Sequence, residues 1–360
     1  MPQPVPHREA FGRTPDGRPV DLWRLESASG VTAEILTYGG ILHRLSVPDA
    51  AGRSRSVVLS LPDAAAYAEP DGPYLGALVG RFANRIAGGR FEIDGQTYRV
   101  PANDQGHTLH GGPDGFHTRL WQAEPAPDRA AVRLSLLSPD GDMGFPGALS
   151  VTAEYALDEA GTLSVAFEAA TDRPTVVNLT NHAYFNLGGA GSGDVLGHLV
   201  EVDAGHYLPV APDAIPFGPL QAVAGTPFDL TLARPVGEAL AAEDQQLKNA
   251  GGFDHCWVLR PASEAGGLRP AARLRDPESG RAMEVWTTEP GLQVYTGNKL
   301  DGTLADADGH HHPVHGGICL ETQHLPDSPN RPEYPSTVLR PGELLTSRTE
   351  FRFPHLPPTG

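Results

Sequence analysis

One acidic residue and two histidines lie in apolar parts of this chain and are the residues best suited to chemistry. Glu321 lies in the run Gly-Gly-Ile-Cys-Leu-Glu-Thr-Gln at 316–323, which has the pattern of a buried strand. His110 precedes two glycines, and His182 lies in Thr-Asn-His-Ala-Tyr-Phe-Asn. A buried carboxylate is costly unless it is paired or has a function. Because carboxylates and imidazoles both transfer protons near neutral pH, the three residues predict general acid–base chemistry.

Four further polar residues have side chains that suit a sugar. Asn84 and Arg85 follow each other between small residues and glycines, and a guanidinium fork beside an amide fits sugar hydroxyls or a carboxylate. Asp254 comes just before an apolar run, where aspartate is also common as a turn residue. Gln293 shares a strand face with Tyr295. Alone, the Asn84-Arg85 pair is also explained by a turn whose arginine braces a neighbouring carboxylate.

The segment around His182 alternates polar and apolar residues. If it stays extended, His182, Tyr184 and Asn186 share one face of a strand. An imidazole, a phenol and an amide on one face form either a hydrogen-bonding cleft or a satisfied network in the core.

Metal, nucleophile and nucleotide chemistry find little support in the spacing of the residues. His110, His182, Asp254 and Glu321 are valid metal-ligand types, but no two of them have the close spacing that is usual in zinc sites. The chain also lacks the Gly-x-Ser-x-Gly nucleophile elbow, the P-loop and the Rossmann fingerprint. We therefore expect an activity that needs neither a metal nor a cofactor.

The charge balance of the chain argues against two classes of partner. The 360 residues include 27 basic and 44 acidic side chains, for a net charge of -17. Such a chain is repelled by nucleic acid and by anionic membrane surfaces, so we expect neither as a partner. The sequence has neither a long apolar span nor a signal-peptide pattern, which predicts a cytoplasmic protein. Cys256 and Cys319 lie in apolar runs and are expected to be buried free thiols.

Short strand-like runs separated by glycine and proline dominate the rest of the chain. They combine β-branched or aromatic residues with period-2 alternation and lie at 31–37, 57–60, 132–137, 149–157, 163–169 and 283–288. Asp94-Gly95 predicts the turn of a hairpin over 90–100. Helical periodicity is confined to 62–68 and 234–243. The polar stretch 301–312 is expected to be a loop, with His310 to His312 exposed to solvent.

This pattern predicts an all-β fold, a large antiparallel β-sandwich with few short helices. No βαβ rhythm, internal repeat or convincing linker is visible. We expect an N-terminal tail at residues 1–10 and a single domain over 11–360.

In combination and in this order, the motifs closely resemble those of the aldose 1-epimerase family, the galactose mutarotases. The resemblance runs from about Phe11 to Phe353 and implies the family's large antiparallel β-sandwich. The matching motifs are Gly-Arg-Phe-Ala-Asn-Arg-Ile, Leu-His-Gly-Gly, Thr-Asn-His-Ala-Tyr-Phe-Asn-Leu, Phe-Asp-His, Gln-Val-Tyr-Thr-Gly-Asn and Leu-Glu-Thr-Gln. One departure is His107, where the family often has asparagine, and its effect on sugar preference is left open.

The resemblance implies an isomerase that interconverts the α and β anomers of free aldoses such as galactose and glucose, as a monomer or homodimer without a cofactor. It assigns the general base to Glu321, the general acid to His182 and a second catalytic-site histidine, near the ring oxygen, to His110. The residues that hold the sugar hydroxyls are then Asn84, Arg85, Asp254 and Gln293. The enzyme hypothesis expects Glu321 and His182 to face each other across a gap wide enough for one pyranose.

Three other functions remain open from the sequence. A carbohydrate-binding module would explain the polar residues but would give the buried Glu321 no purpose. A mutarotase-like enzyme acting on hexose 6-phosphates would need a cationic cluster at the cleft rim, and no such cluster accompanies the motifs. A lyase or glycosidase on a related sandwich would need two carboxylates at a set separation, for which Asp254 and Glu321 are available.

Overall fold

The computed structural model describes residues 5–69, 72–264 and 266–354, and β-strands dominate them. The strands, in chain order, are β1 (His7–Arg13), β2 (Pro19–Glu26), β3 (Thr32–Leu36), β4 (Leu42–Pro48), β5 (Ser54–Ser56), β6 (Leu78–Val79), β7 (Arg85–Ile86), β8 (Arg90–Ile93), β9 (Gln96–Arg99), β10 (Thr108–Leu109), β11 (Gln122–Pro125), β12 (Ala131–Ser138), β13 (Leu149–Leu157), β14 (Leu163–Thr171), β15 (Thr175–Val176), β16 (Thr180–Asn181), β17 (Tyr184–Phe185), β18 (Leu199–Val202), β19 (Ala204–Tyr207), β20 (Gln221–Ala222), β21 (Arg234–Pro235), β22 (Asp254–Leu259), β23 (Arg269–Arg275), β24 (Ala282–Thr287), β25 (Gly291–Tyr295), β26 (Ile318–Gln323), β27 (Val338–Leu339) and β28 (Leu345–Arg352). The helices are α1 (Ala64–Tyr67), α2 (Val236–Leu240) and α3 (Gln245–Ala250), and none of them is long or apolar enough to cross a membrane.

Three sheets make up most of the fold. The largest has nine strands in the order β11-β12-β13-β14-β28-β24-β23-β18-β21, the second has six in the order β17-β26-β25-β22-β19-β20, and the third joins β1 to β5 in chain order. Neighbouring strands run antiparallel in the two larger sheets. This confirms the predicted antiparallel β-sandwich.

The main apolar core fills the space between these sheets. It takes Val151 and Tyr155 from the nine-stranded sheet and Trp257, Val294 and Leu320 from the six-stranded sheet. Because alternate residues of a strand point to opposite faces, the other face of the six-stranded sheet is free to carry polar side chains.

Most of the predicted elements are confirmed. The runs 31–37, 132–137, 149–157, 163–169 and 283–288 overlap β3, β12, β13, β14 and β24. The hairpin joins β8 to β9, with Asp94 and Gly95 both at positive φ as its two-residue turn requires. Both predicted helices form, although each is shorter than its pattern. Both cysteines are free and buried.

Other predictions are corrected by the structure. The run 57–60 forms no strand, because its backbone changes partner: Val57 N–H bonds Leu45 O and Leu59 N–H bonds Tyr184 O. α3 was not predicted, although Asp244 caps its first turn. The predicted tail boundary at residue 10 falls inside β1, which pairs with β2. His312 is buried against Ser60 O, unlike its exposed neighbours in the predicted loop 301–312.

Candidate active site

The register of the six-stranded sheet brings three of the predicted site residues together, with Tyr295 beside them. Glu321 of β26 lies opposite Gln293 of β25, and Tyr295 of β25 lies opposite Asp254 of β22. These residues alternate with Leu320 and Val294, which belong to the core. The apolar face of β26 therefore fixes Glu321 on the other face of the sheet, beside Gln293, because a one-residue slip would reverse both faces.

His182 lies where the predicted strand breaks. Residues 182–183 belong to no strand, and they separate β16 from β17. The backbone N–H of His182 donates to Ala77 O, and its Nε2 lies 3.5 Å from Glu321 Oε1. Tyr184 packs beside its ring at 5.2 Å between centroids. Asn186 lies apart from this group because its amide donates to Gly193 O and Gly316 O, so the expected single face is lost.

Cys319 touches the other ring nitrogen of His182. Its Sγ lies 3.6 Å from His182 Nδ1, and both side chains are buried. Burial raises the pKa of the Cys319 thiol well above its ordinary value, so the sulfur stays a neutral thiol, which can accept a hydrogen from Nδ1 as well as donate one. With the ring hydrogen on Nδ1, toward the sulfur, the lone pair of Nε2 faces Glu321 and can take a proton from it.

His110 is held in a backbone turn with positive φ. Its φ is 52°, and a side chain on the next residue, Gly111, would meet the carbonyl oxygen of Gly80 at 2.1 Å. The backbone N–H of Asn84 donates to His110 Nδ1 at 3.2 Å. His110 therefore carries its hydrogen on Nε2, and its ring lies 5.2 Å from that of His182 between centroids.

Arg85 joins the histidine turn to the sheet. β7 pairs with β10 so that Arg85 lies opposite Leu109, next to His110. Its Nη1 lies 4.0 Å from Asp254 Oδ2. Gln293 Nε2 donates to the other oxygen of Asp254 at 2.6 Å.

The structure thus groups all seven predicted residues. It also adds side chains that the sequence gave no reason to select. Tyr74 packs on His110, with ring centroids 4.6 Å apart, and Asp104 binds Arg85 at 2.9 Å. Neither residue belongs to a motif that we recognised, and only the folded chain brings them to the site.

Burial dominates the electrostatics of the acid–base pair. It raises the pKa of Glu321 well above its ordinary value, with a further contribution from the nearby charge of Asp254. Burial lowers the pKa of His182 to about 4 and that of His110 well below its ordinary value. Both shifts act in the same direction: they favour a proton on Glu321 and the neutral form of both imidazoles.

Two buried oxygens at the site have no hydrogen-bond partner within the described ranges. They are Glu321 Oε2 and Gln293 Oε1. Buried polar atoms are normally satisfied, so these two are available to a polar ligand.

Glu321 and His182 lie in contact, which corrects the expected pyranose-wide gap between them. Both can still act on one sugar from the same side, because the anomeric and ring oxygens are bonded to the same carbon.

A tightly bound metal fits this site poorly. One donor atom from each of His110, His182 and Glu321 falls within 4.8 Å of the others. However, His110 Nδ1 accepts the Asn84 N–H, so the nitrogen left for the site carries a hydrogen instead of a free lone pair. The cluster is better suited to donating and accepting protons than to holding zinc.

Comparisons with known proteins agree with this arrangement. The aldose 1-epimerase family model matches residues 21–352. A galactose mutarotase of Rattus norvegicus is 42% identical over 96% of this chain and 98% of its own length, and an aldose 1-epimerase of Escherichia coli is 38% identical over 94% and 96%. A galactose 1-epimerase structure from Lactobacillus acidophilus superposes with a TM-score of 0.85 at 29% identity, covering 97% of this chain and 98% of that one. The chain is an isomerase that belongs to the aldose 1-epimerase family.

Proposed function

We propose that this protein interconverts the α and β anomers of free aldoses, galactose and glucose among them, with Glu321 as general base and His182 as general acid. The observation that carries the proposal is the buried contact between Glu321 Oε1 and His182 Nε2 at 3.5 Å, beside an unsatisfied carboxyl oxygen. An acid and a base that share one proton suit a reaction that removes one proton from the sugar and returns one.

Ring opening needs two proton transfers at neighbouring oxygens. Glu321 takes the proton of the anomeric hydroxyl while His182 gives one to the ring oxygen. Because the proton rests on Glu321 in the free enzyme, it must first pass to His182 across their contact when the sugar binds. Hydrogen bonds from sugar hydroxyls to Glu321 Oε2 stabilise the carboxylate and favour that transfer. Rotation about the C1–C2 bond and reversal of both transfers give the other anomer.

The remaining polar residues hold the sugar in this geometry. His110 offers its Nε2–H as a neutral donor near the ring oxygen, because its Nδ1 is already occupied by Asn84 N–H. Arg85, Asp254 and Gln293 form a connected row of donors and acceptors for hydroxyl groups. Holding the sugar in one pose beside the pair reduces the entropic part of the barrier.

The charges at the site favour a neutral sugar over a sugar phosphate. The charge of Arg85 is already opposed by Asp104 at 2.9 Å and by Asp254 at 4.0 Å. A hexose 6-phosphate would add negative charge beside these carboxylates. This supports free aldoses as substrates.

Polarimetry tests the proposal directly. Fresh α-D-galactose and α-D-glucose should reach anomeric equilibrium faster with the protein than without it, at low buffer concentration because buffers also catalyse mutarotation. Glucose 6-phosphate should show little acceleration. Activity should persist after prolonged chelation; a loss that zinc restores would contradict the cofactor-free mechanism. If no common aldose is accelerated over the blank, the proposed function is wrong.

A further inference from the structure

The turn at 104–107 makes two side-chain contacts, Asp104 to Arg85 and His107 to Asp213, that have no part in the proposed proton transfers. Asp104 and His107 form a β-bridge, and Gln105 and Gly106 between them have φ values of 48° and 86°. Asn103 ties the turn to β10, since its side chain accepts a hydrogen bond from Leu109 N–H and donates one to Leu109 O. The turn is thereby fixed beside β10, which leads directly into His110.

Asp104 constrains the guanidinium of Arg85. Its Oδ2 accepts from Arg85 Nε at 2.9 Å, and the two side chains are only 14% and 6% exposed. A charge-assisted hydrogen bond at this depth is stronger and more directional than one at the surface. Because Asp104 occupies Nε, the guanidinium plane is fixed and Nη1 points toward Asp254 Oδ2, 4.0 Å away.

His107 ties the turn to two other segments. Its Nδ1 accepts from the backbone N–H of Gly88 at 2.9 Å, so its hydrogen lies on Nε2 and points to Asp213 Oδ2 at 3.2 Å. Asp213 is itself held in place, because its Oδ1 accepts a hydrogen bond from Ile215 N–H. A histidine reaches both partners at once, with one ring nitrogen for each.

We propose that the Asp104–His107 turn is a positioning element of the sugar site, in which Asp104 sets the direction of the Arg85 guanidinium and the His107–Asp213 contact holds the turn in place. The inference rests on the proposed function, because it requires Arg85 to bind the sugar. His107, the departure from the family pattern, thus acts through the geometry of Arg85 and does not touch the substrate. Asp104 is a positioning residue, and its removal changes activity only while Arg85 is present.

A double-mutant cycle tests this dependence. Asp104→Asn keeps the size of the side chain but removes its charge. We expect it to lower kcat/KM for galactose by about 10-fold to 100-fold, through both KM and kcat, because a misdirected contact group weakens binding and alignment together. In an Arg85→Ala background, the same substitution should change kcat/KM by less than twofold, since the group it positions is gone. His107→Asn and Asp213→Asn should each give a smaller loss that also disappears in that background.

The matched control is Asp94→Asn, which breaks the exposed ion pair between Asp94 and Arg340 and should leave kinetics unchanged. If Asp104→Asn lowers activity equally with and without Arg85, or lowers only the melting temperature, the turn is structural and the inference is wrong. Galactose affinity measured calorimetrically over the same cycle separates the two proposals. The wild type could lack mutarotase activity and yet bind galactose with an affinity that Asp104→Asn lowers only when Arg85 is present. That result would refute the proposed function but support the positioning role of the turn. Absence of sugar binding by the wild type would refute both.

Discussion

The protonation state of His182 is the sharpest prediction of the structure. Burial lowers its pKa to about 4, so at pH 7 about one molecule in a thousand of the free enzyme carries an imidazolium there. Its hydrogen should lie on Nδ1, toward the Cys319 sulfur at 3.6 Å, because Nε2 must be free to take the proton of Glu321. The perturbation is therefore pH, and the expected response is a ring that stays neutral from pH 8 down to about pH 5.

Nitrogen-15 NMR of labelled histidines measures this state directly, with His182→Asn to assign the signals. The same samples give kcat/KM by polarimetry, after subtraction of the spontaneous rate at each pH. Between the lowered pKa of His182 and the raised pKa of Glu321, the pair holds one proton, so kcat/KM should be flat. Below about pH 4 it should fall roughly tenfold per pH unit.

An imidazolium signal from His182 in the free enzyme at neutral pH would refute the reasoning, as would an acid limb of kcat/KM centred near the ordinary histidine pKa of about 6.5. Circular dichroism at each pH controls for acid unfolding. The pH profile of kcat/KM is the right measurement because it reports the pKa values of the free enzyme, where the pKa of Glu321 is expected to be above that of His182.

The remaining predictions concern single substitutions. Glu321→Gln and His182→Asn should each lower kcat by roughly 10²–10⁴-fold. The double mutant should lose less kcat than the product of the two single losses, because both residues act on one coupled transfer. A folded Glu321→Gln variant with more than about a tenth of wild-type kcat would exclude that residue as the base. Arg85→Ala should raise KM and also lower kcat, whereas unchanged kinetics with a lower melting temperature would make Arg85 structural. Gly111→Ala should destabilise the fold by about 1–3 kcal/mol or more, since a Cβ there lies 2.1 Å from Gly80 O and φ is 84°; an unchanged urea midpoint would contradict this.

The fold class followed from local patterns because each long strand carries its own alternation. β13 and β14, for example, show one face of apolar residues that the period-2 pattern predicts. The run 57–60 was wrongly predicted as a strand, because an apolar run of that length can be buried without pairing to the same neighbouring strand throughout. α3 was missed because Leu247 is its one buried residue, so it shows no apolar repeat, although Asp244 and Gly251 mark its two ends.

The members of the candidate site were predictable from their motifs, but the distances and protonation states were not. Glu321 and His182 are 139 positions apart in the chain, and their contact depends on the register of β17 and β26. The contribution of Asp104 required knowing that the 104–107 turn folds back onto Arg85. The pKa shifts depend on burial, which the sequence gives only as an average tendency.

The strand that carries Glu321 also forms part of the main core through Leu320. Regions of a protein that open without global unfolding are those with few buried apolar contacts. β26 is not such a region, since all six of its residues are buried between β17 and β25. On heating, the enzyme should therefore stay fully active until the whole sandwich melts, so that thermal inactivation and loss of tertiary structure follow one curve.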